Sequence, residues 1–121
     1  MAVTYATAIK TARMDATRLE FVNGTLEIGT AGMATVLATF TLTASAGSVT
    51  NDVWTLAFTS GTVTAGNTGT AAAAQIKDSG GTAEITGLTV STSGADINLD
   101  NTSINSGQNV TLTSATITHA A

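Results

Sequence analysis

Two hydrophobic periods divide the chain. Tyr5, Ile9, Ala12, Ala16 and Leu19 recur at spacings of four, three, four and three, which puts them on one stripe of an α-helix running from Tyr5 to about Phe21. Thr4 stands where an N-cap belongs, and Asn23-Gly24 supplies the left-handed residue that ends a helix. Lys10, Arg13 and Arg18 fall opposite the stripe, interleaved with Asp15 and Glu20. They read as a solvated face, or as an arm that docks on an acidic partner.

After Gly24 the period becomes two. Leu26 and Ile28 alternate with Thr25 and Glu27, and Val36, Ala38, Phe40 and Leu42 alternate with Leu37, Thr39 and Thr41. Trp54, Leu56 and Phe58 share one side of the next strand. Ser60 to Thr70 is a Gly- and Thr-rich loop or hairpin around Val63. Ala71 to Ile76 has helical propensity, yet its strand neighbours and the turn Asp78-Ser-Gly-Gly81 favour a strand. Two later segments slip by one residue: apolar positions run 83, 85, then 88, 90, and again 110, 112, then 115, 117. One extra residue is what a β-bulge inserts, keeping the same face inward through a bend. Between them Ile97 and Leu99 alternate with Asp96, Asn98 and Asp100, and Asn101 to Gly107 is rich in turn residues.

These patterns predict a mainly β protein: a jelly-roll-like antiparallel β-sandwich of about eight strands with one N-terminal amphipathic α-helix. A helical arm over 1–23 precedes a β-sandwich over 24–121. The Thr-x-Thr units start at 39, 62, 111 and 116, too unevenly for a solenoid or a flat ice-binding ladder.

Composition narrows the function. Threonine occupies 26 of 121 positions, and charged residues are only 10 %. So little charge on a hydroxyl-rich surface suits a protein that meets other proteins over much of its area. Residues 1–21 carry three bases and two acids (+1), whereas the rest carries Lys77 against six acids (−5), which gives the net −4. That balance argues against a nucleic-acid binder, which needs clustered Lys and Arg. No cysteine is present, so thiolate metal sites and cysteine nucleophiles are excluded. The first residues lack the pattern of a secretory signal, and no apolar run is long enough to span a membrane as a helix. Synthesis in a cytoplasm is expected, with any export by a route other than a cleaved signal, and no membrane partner.

Candidate chemistry is sparse. Asp96-Ile-Asn98-Leu-Asp100 matches the start of a calcium loop, but Asn101 replaces its glycine and Gly107 stands where its bidentate glutamate belongs. The alternative is a strand whose wet face carries those three polar side chains. His119 is the sole histidine, third from the end, with no motif to supply a partner. Glu27, Asp52, Asp78 and Glu84 fall at predicted edges and turns, where charge protects a sheet. No catalytic residue, cofactor or metal is assigned, and an enzyme is not expected.

Four stretches carry a resemblance: Ala2 to Met14; Gly24-Thr-Leu-Glu-Ile-Gly-Thr-Ala-Gly32; Ala73-Ala-Gln-Ile-Lys-Asp-Ser-Gly-Gly81; and Asp100 to His119. They resemble small virion proteins of tailed bacteriophages, over most of the chain. The resemblance implies a capsid decoration, or cement, protein with a jelly-roll-like body, on the outer surface of the head after synthesis in the bacterial cytoplasm. Its expected partners are the major capsid protein and itself, as a dimer or trimer. Tyr5, Ile9, Lys10, Arg13 and Arg18 are the candidate contacts, and sheet edges could add strands to the shell. A tail, neck or fibre module and a carbohydrate- or receptor-binding sandwich are the alternatives.

Overall fold

The computed structural model describes residues 6–118. Thr4, Tyr5 and His119 lie outside them. Helix α1 spans Thr7–Glu20, preceded by extended Ala6, which makes no side-chain cap. It stops where sequence chemistry says it should: Asn23 is left-handed at φ 59°, and the Gly24 N–H donates to the Phe21 carbonyl at 2.9 Å.

Among the described residues eleven short strands follow: β1 Thr25–Gly29, β2 Val36–Thr41, β3 Ser48–Thr50, β4 Val53–Thr55, β5 Thr62–Thr64, β6 Gly69–Thr70, β7 Ala73–Lys77, β8 Ala83–Ser91, β9 Ile97–Leu99, β10 Ser103–Ile104 and β11 Asn109–Thr118. Nine form one sheet in the order β2-β1-β7-β8-β9-β11-β4-β3, with β5 also paired to β11, while β6 and β10 make a separate ribbon. The protein is therefore mainly β with one N-terminal helix, as predicted. Its strand count exceeds the expected eight because the turn-rich stretches around Val63 and Ile104 each contribute pairing residues.

One continuous curled sheet takes the place of two discrete ones. The reason lies in β11, which is long enough to pair three strands in succession: β5 at Asn109 to Thr111, β9 at Leu112 to Ala115, and β4 at Thr116 to Thr118. Both predicted slips are real irregularities. The β11–β9 register shifts between Leu112 and Ser114, and the β7–β8 register shifts beside Gly87, which adopts φ 76°. Curling brings β2 back toward the loops around β5, where the N–H groups of Gly66 and Thr59 donate to the carbonyls of Leu37 and Thr41.

The concave side is filled by Leu26, Ile28, Phe40, Leu42, Trp54, Ile76, Ile97, Leu99 and Val110, all essentially inaccessible. Ala71 to Ile76 is a strand at its C-terminal end, with Ala74 and Ile76 inward, so the partner strands β1 and β8 override alanine's helical propensity. Met14 and Phe21 belong to the same hydrophobic cluster, and the Phe21 and Trp54 rings lie 5.8 Å apart.

Candidate contact surface

The orientation of α1 reverses the expectation. Its buried side is centred on Met14, and its outward side carries Ile9, Ala12, Ala16 and Leu19. Ile9 and Leu19, 50 % and 58 % exposed, are the exposed large apolar side chains among the described residues. Lys10 and Arg18 turn toward the body and so do not form a solvated face. Lys10 Nζ is 4.0 Å from Asp52 Oδ2, Arg18 Nε donates to Asp15 Oδ1 at 2.8 Å, and the Arg18 guanidinium also donates to the Ser45 carbonyl. Thr11 donates its hydroxyl to the Asn51 carbonyl in the β3–β4 turn.

Side-chain size explains the reversal. Burying a Phe or Met side chain is worth roughly 1.5–3 kcal/mol, and the predicted stripe offers two alanines at its centre. Met14 and Phe21, seven residues apart on the other side, outweigh it. That seven-residue pair is the signal the sequence holds; Asp52 and the Ser45 carbonyl, which receive the basic side chains, have none. Arg13 and Glu20 stand exposed along one flank of the outward stripe. Of the candidate contacts, then, Ile9 and Arg13 face outward, Lys10 and Arg18 hold the helix to the body, and Tyr5 lies outside the described residues.

The convex side of the sheet is a field of hydroxyls. Ser48, Thr55 and Thr116 align across β3, β4 and β11, Thr25 faces Thr41 across β1 and β2, and the Thr62 and Thr111 hydroxyls are 2.9 Å apart. An ion pair interrupts it on β1 and β7, where Glu27 accepts from Gln75 at 2.7 Å and lies 3.2 Å from Lys77 Nζ. Strand addition along β2 is not favoured, since the Val36, Leu37 and Thr41 carbonyls on its outer edge already accept from Asn67, Gly66 and Thr59.

The calcium-like run is occupied by backbone stitching. Asp96 Oδ2 accepts from the Thr89 N–H and hydroxyl at 3.1 Å each, and the Thr89 hydroxyl in turn lies 3.0 Å from the Asp96 N–H. Asn98 bridges Ala95 and Ser114, and Asp100 Oδ1 accepts from the Thr111 N–H. The Asp96 and Asn98 bonds hold the 92–96 turn, across which β8 and β9 meet in parallel for only two residue pairs, and the Asp100 bond ties the end of β9 to β11. Three carboxyl and amide groups thus serve three separate backbone sites. Among the described residues no group of three or more His, Cys, Asp or Glu could hold a metal ion.

Among the described residues the surface carries shallow grooves, one of them of about 360 Å³ between β2 and the loop after β5. Another, of about 300 Å³, runs beside the β11 bulge and is lined by Thr55, Phe58, Leu112 and Thr113. A third, of about 320 Å³, has Phe21 and Ile85 at its base and Glu20, Asp78 and Glu84 around it. Asp78 is already used: its Oδ1 accepts from the N–H groups of Gly80 and Thr82 in the β7–β8 turn. No helix among the described residues is long and apolar enough to cross a membrane.

No protein-family model, no curated protein and no solved structure matches the chain.

Proposed function

We propose that the chain is a structural protein of a tailed-phage particle, seated on the outer surface of the head, where it braces neighbouring major capsid subunits. The observation that carries the reading is the convex hydroxyl field. Threonine and serine have little rotamer freedom to lose and no full charge to desolvate, so a broad face of them docks at lower cost than one of Lys and Glu. The curled, bulged sheet beneath it is a stiff platform, and the jelly-roll-like body belongs to the same proposal. The assignment to a phage rests on the resemblance of residues 2–14, 24–32, 73–81 and 100–119 to small virion proteins.

Shell proteins act in numbers. Contacts that are weak singly become durable when several are held on one particle, because each raises the effective concentration of the next. A sugar-binding reading gains no support, since Trp54 is wholly enclosed and offers no ring to a glycan.

The test is co-sedimentation of purified protein with undecorated heads. Binding is expected, and Thr55→Lys with Thr116→Lys, which leaves the core untouched, is expected to abolish it. Protein that stays in the supernatant sinks the decoration role, and labelled protein found on tails by electron microscopy moves it to another part of the particle.

A further inference from the structure

The nine-stranded sheet runs from β2 at one end to β3 at the other. Carbonyls on the outer edge of β2 are already taken, which leaves β3 as the end where a further strand could pair. The pairing on its inner side decides which of its backbone groups face outward. The Leu56 N–H donates to the Ala115 carbonyl at 3.0 Å, so that opposed pair is a hydrogen-bonded one. Bonded and non-bonded pairs alternate along an antiparallel ladder. Thr55 and Thr116 are therefore non-bonded, and Trp54 exchanges its bonds with Ile117. With Trp54 committed to β11, Ser48 and Thr50 bond Thr55 and Val53 across the β3–β4 hairpin. The N–H and C=O of Val49, opposite Trp54, point away from the sheet.

Helix α1 lies along that edge. It packs on β3 and β4 and runs opposite to β3, because Thr11 donates to the Asn51 carbonyl just after the strand and Arg18 donates to the Ser45 carbonyl ahead of it. Lys10 reaches Asp52 at the same end as Thr11. Between these ties Met14 enters the hydrophobic cluster against which half-buried Val49 packs. We infer that α1 is a strap closed over the β3 edge, and that it opens as a unit while the sheet stays folded.

The contacts of α1 make it separable. Its buried side chain is Met14, and Phe21, which packs on Trp54, stands past the last helical residue and keeps its seat when the helix lifts. The ties to Asn51 and Ser45 are single bonds at exposed positions, and an ion pair like that of Lys10 with Asp52, 4.0 Å apart at the surface, holds little. The helix itself is weak. It has 14 residues, three of them threonine, and no side-chain cap, and the Thr11 and Thr17 hydroxyls bond back to the carbonyls of Thr7 and Arg13. Segments with so few buried apolar contacts open at a lower free energy than the whole domain.

Covering an edge with a helix is one way a sheet is kept from pairing with other chains. Closed, α1 withholds Val49 from a further strand. Open, it leaves one donor and one acceptor there, so the state of the arm sets the state of the edge. The inference does not depend on the capsid reading, because its test uses the protein alone.

Amide hydrogen exchange of the whole chain, followed by NMR, reads the strap residue by residue. Val49 is the reporter, since no ladder bond protects its N–H. Its exchange is expected to be slowed at least about a hundredfold relative to an unstructured peptide, to match that of the Met14 and Asp15 amides within about threefold, and to run at least about tenfold faster than that of Trp54, whose N–H is held by β11. Met14→Ala is expected to speed Val49 and the α1 amides by a common factor of about ten or more. Arg18→Gln, which loses the Ser45 tie without opening a cavity, shifts the same amides together by about threefold and serves if the first variant folds poorly. Val49 exchanging like an unstructured amide while α1 is protected would show that the helix leaves the edge bare, and would overturn the inference. So would α1 amides as slow as Trp54, which would mean that the arm opens only with the sheet.

Discussion

Trp54 shows how one residue ties several parts of this fold together. Its ring packs against Phe21 of the helical segment, and its indole Nε1 donates to the Ala46 carbonyl at 2.8 Å. The carbonyl is presented by a turn in which Ala46 and Gly47 are both left-handed, at φ 55° and 105°. Gly47 has no substitute here, for a Cβ on it would sit 2.0 Å from the Thr55 carbonyl. Gly47→Ala combines that clash with a backbone region an L side chain avoids, and is expected to destabilise by about 2–3 kcal/mol in urea unfolding. Trp54→Phe keeps most of the apolar volume but leaves the buried Ala46 carbonyl unpaired, a loss of about 1–3 kcal/mol. Asp96→Ala removes both Thr89 bonds at a partly exposed turn and is expected to lower stability by about 1 kcal/mol. Millimolar calcium is expected to leave the melting temperature of the unmodified protein unmoved; a rise would show a cation shared by Asp96, Asn98 and Asp100.

At the scale of elements, what the sequence disclosed depended on how much volume each pattern controlled. The strands were legible wherever large residues alternate, as at Leu26 and Ile28, because a one-residue slip would expose all of them. The bulges at Gly87 and Ser114 were legible for the same reason. The short strands β5, β6 and β10 were not, since pieces of two or three residues with at most one large apolar side chain, Val63 or Ile104, have no alternation and look alike in a ladder and in a turn. For α1 the periodicity gave the helix but not its seat. A stripe with alanine at two positions loses to Met14 and Phe21, and the carbonyl of Ser45 and the carboxylate of Asp52, more than 25 residues away in sequence, decide where Arg18 and Lys10 go. Phe21→Ala should therefore cost about 3–4 kcal/mol and loosen the helix from Trp54. Leu19→Glu should stay within about 0.5 kcal/mol of the parent in the monomer. Thermal melts of the two variants at low protein concentration separate the inner face from the outer one.

For the whole molecule, closure depends on the last strand. β11 pairs with β5, β9 and β4, and nothing else in the sheet joins β9 to the β4–β3 hairpin on which α1 rests. Contacts of such long sequence separation impose a large loop-closure cost before they repay it, so folding is expected in the slow, millisecond-to-second range of β proteins. Until β11 is in place, Trp54 lacks the strand that carries Ile117 opposite it, and the core residues Val110 and Ala115 are missing. A chain ending at Gly107 should thus fail to fold cooperatively, retaining at most the β1, β2, β7 and β8 region. The check is urea unfolding followed by tryptophan fluorescence. A broad, shallow transition with exposed-indole emission at zero urea is expected, and a sharp transition with a native spectrum would show that the β2-to-β8 half encloses Trp54 without the closing strand.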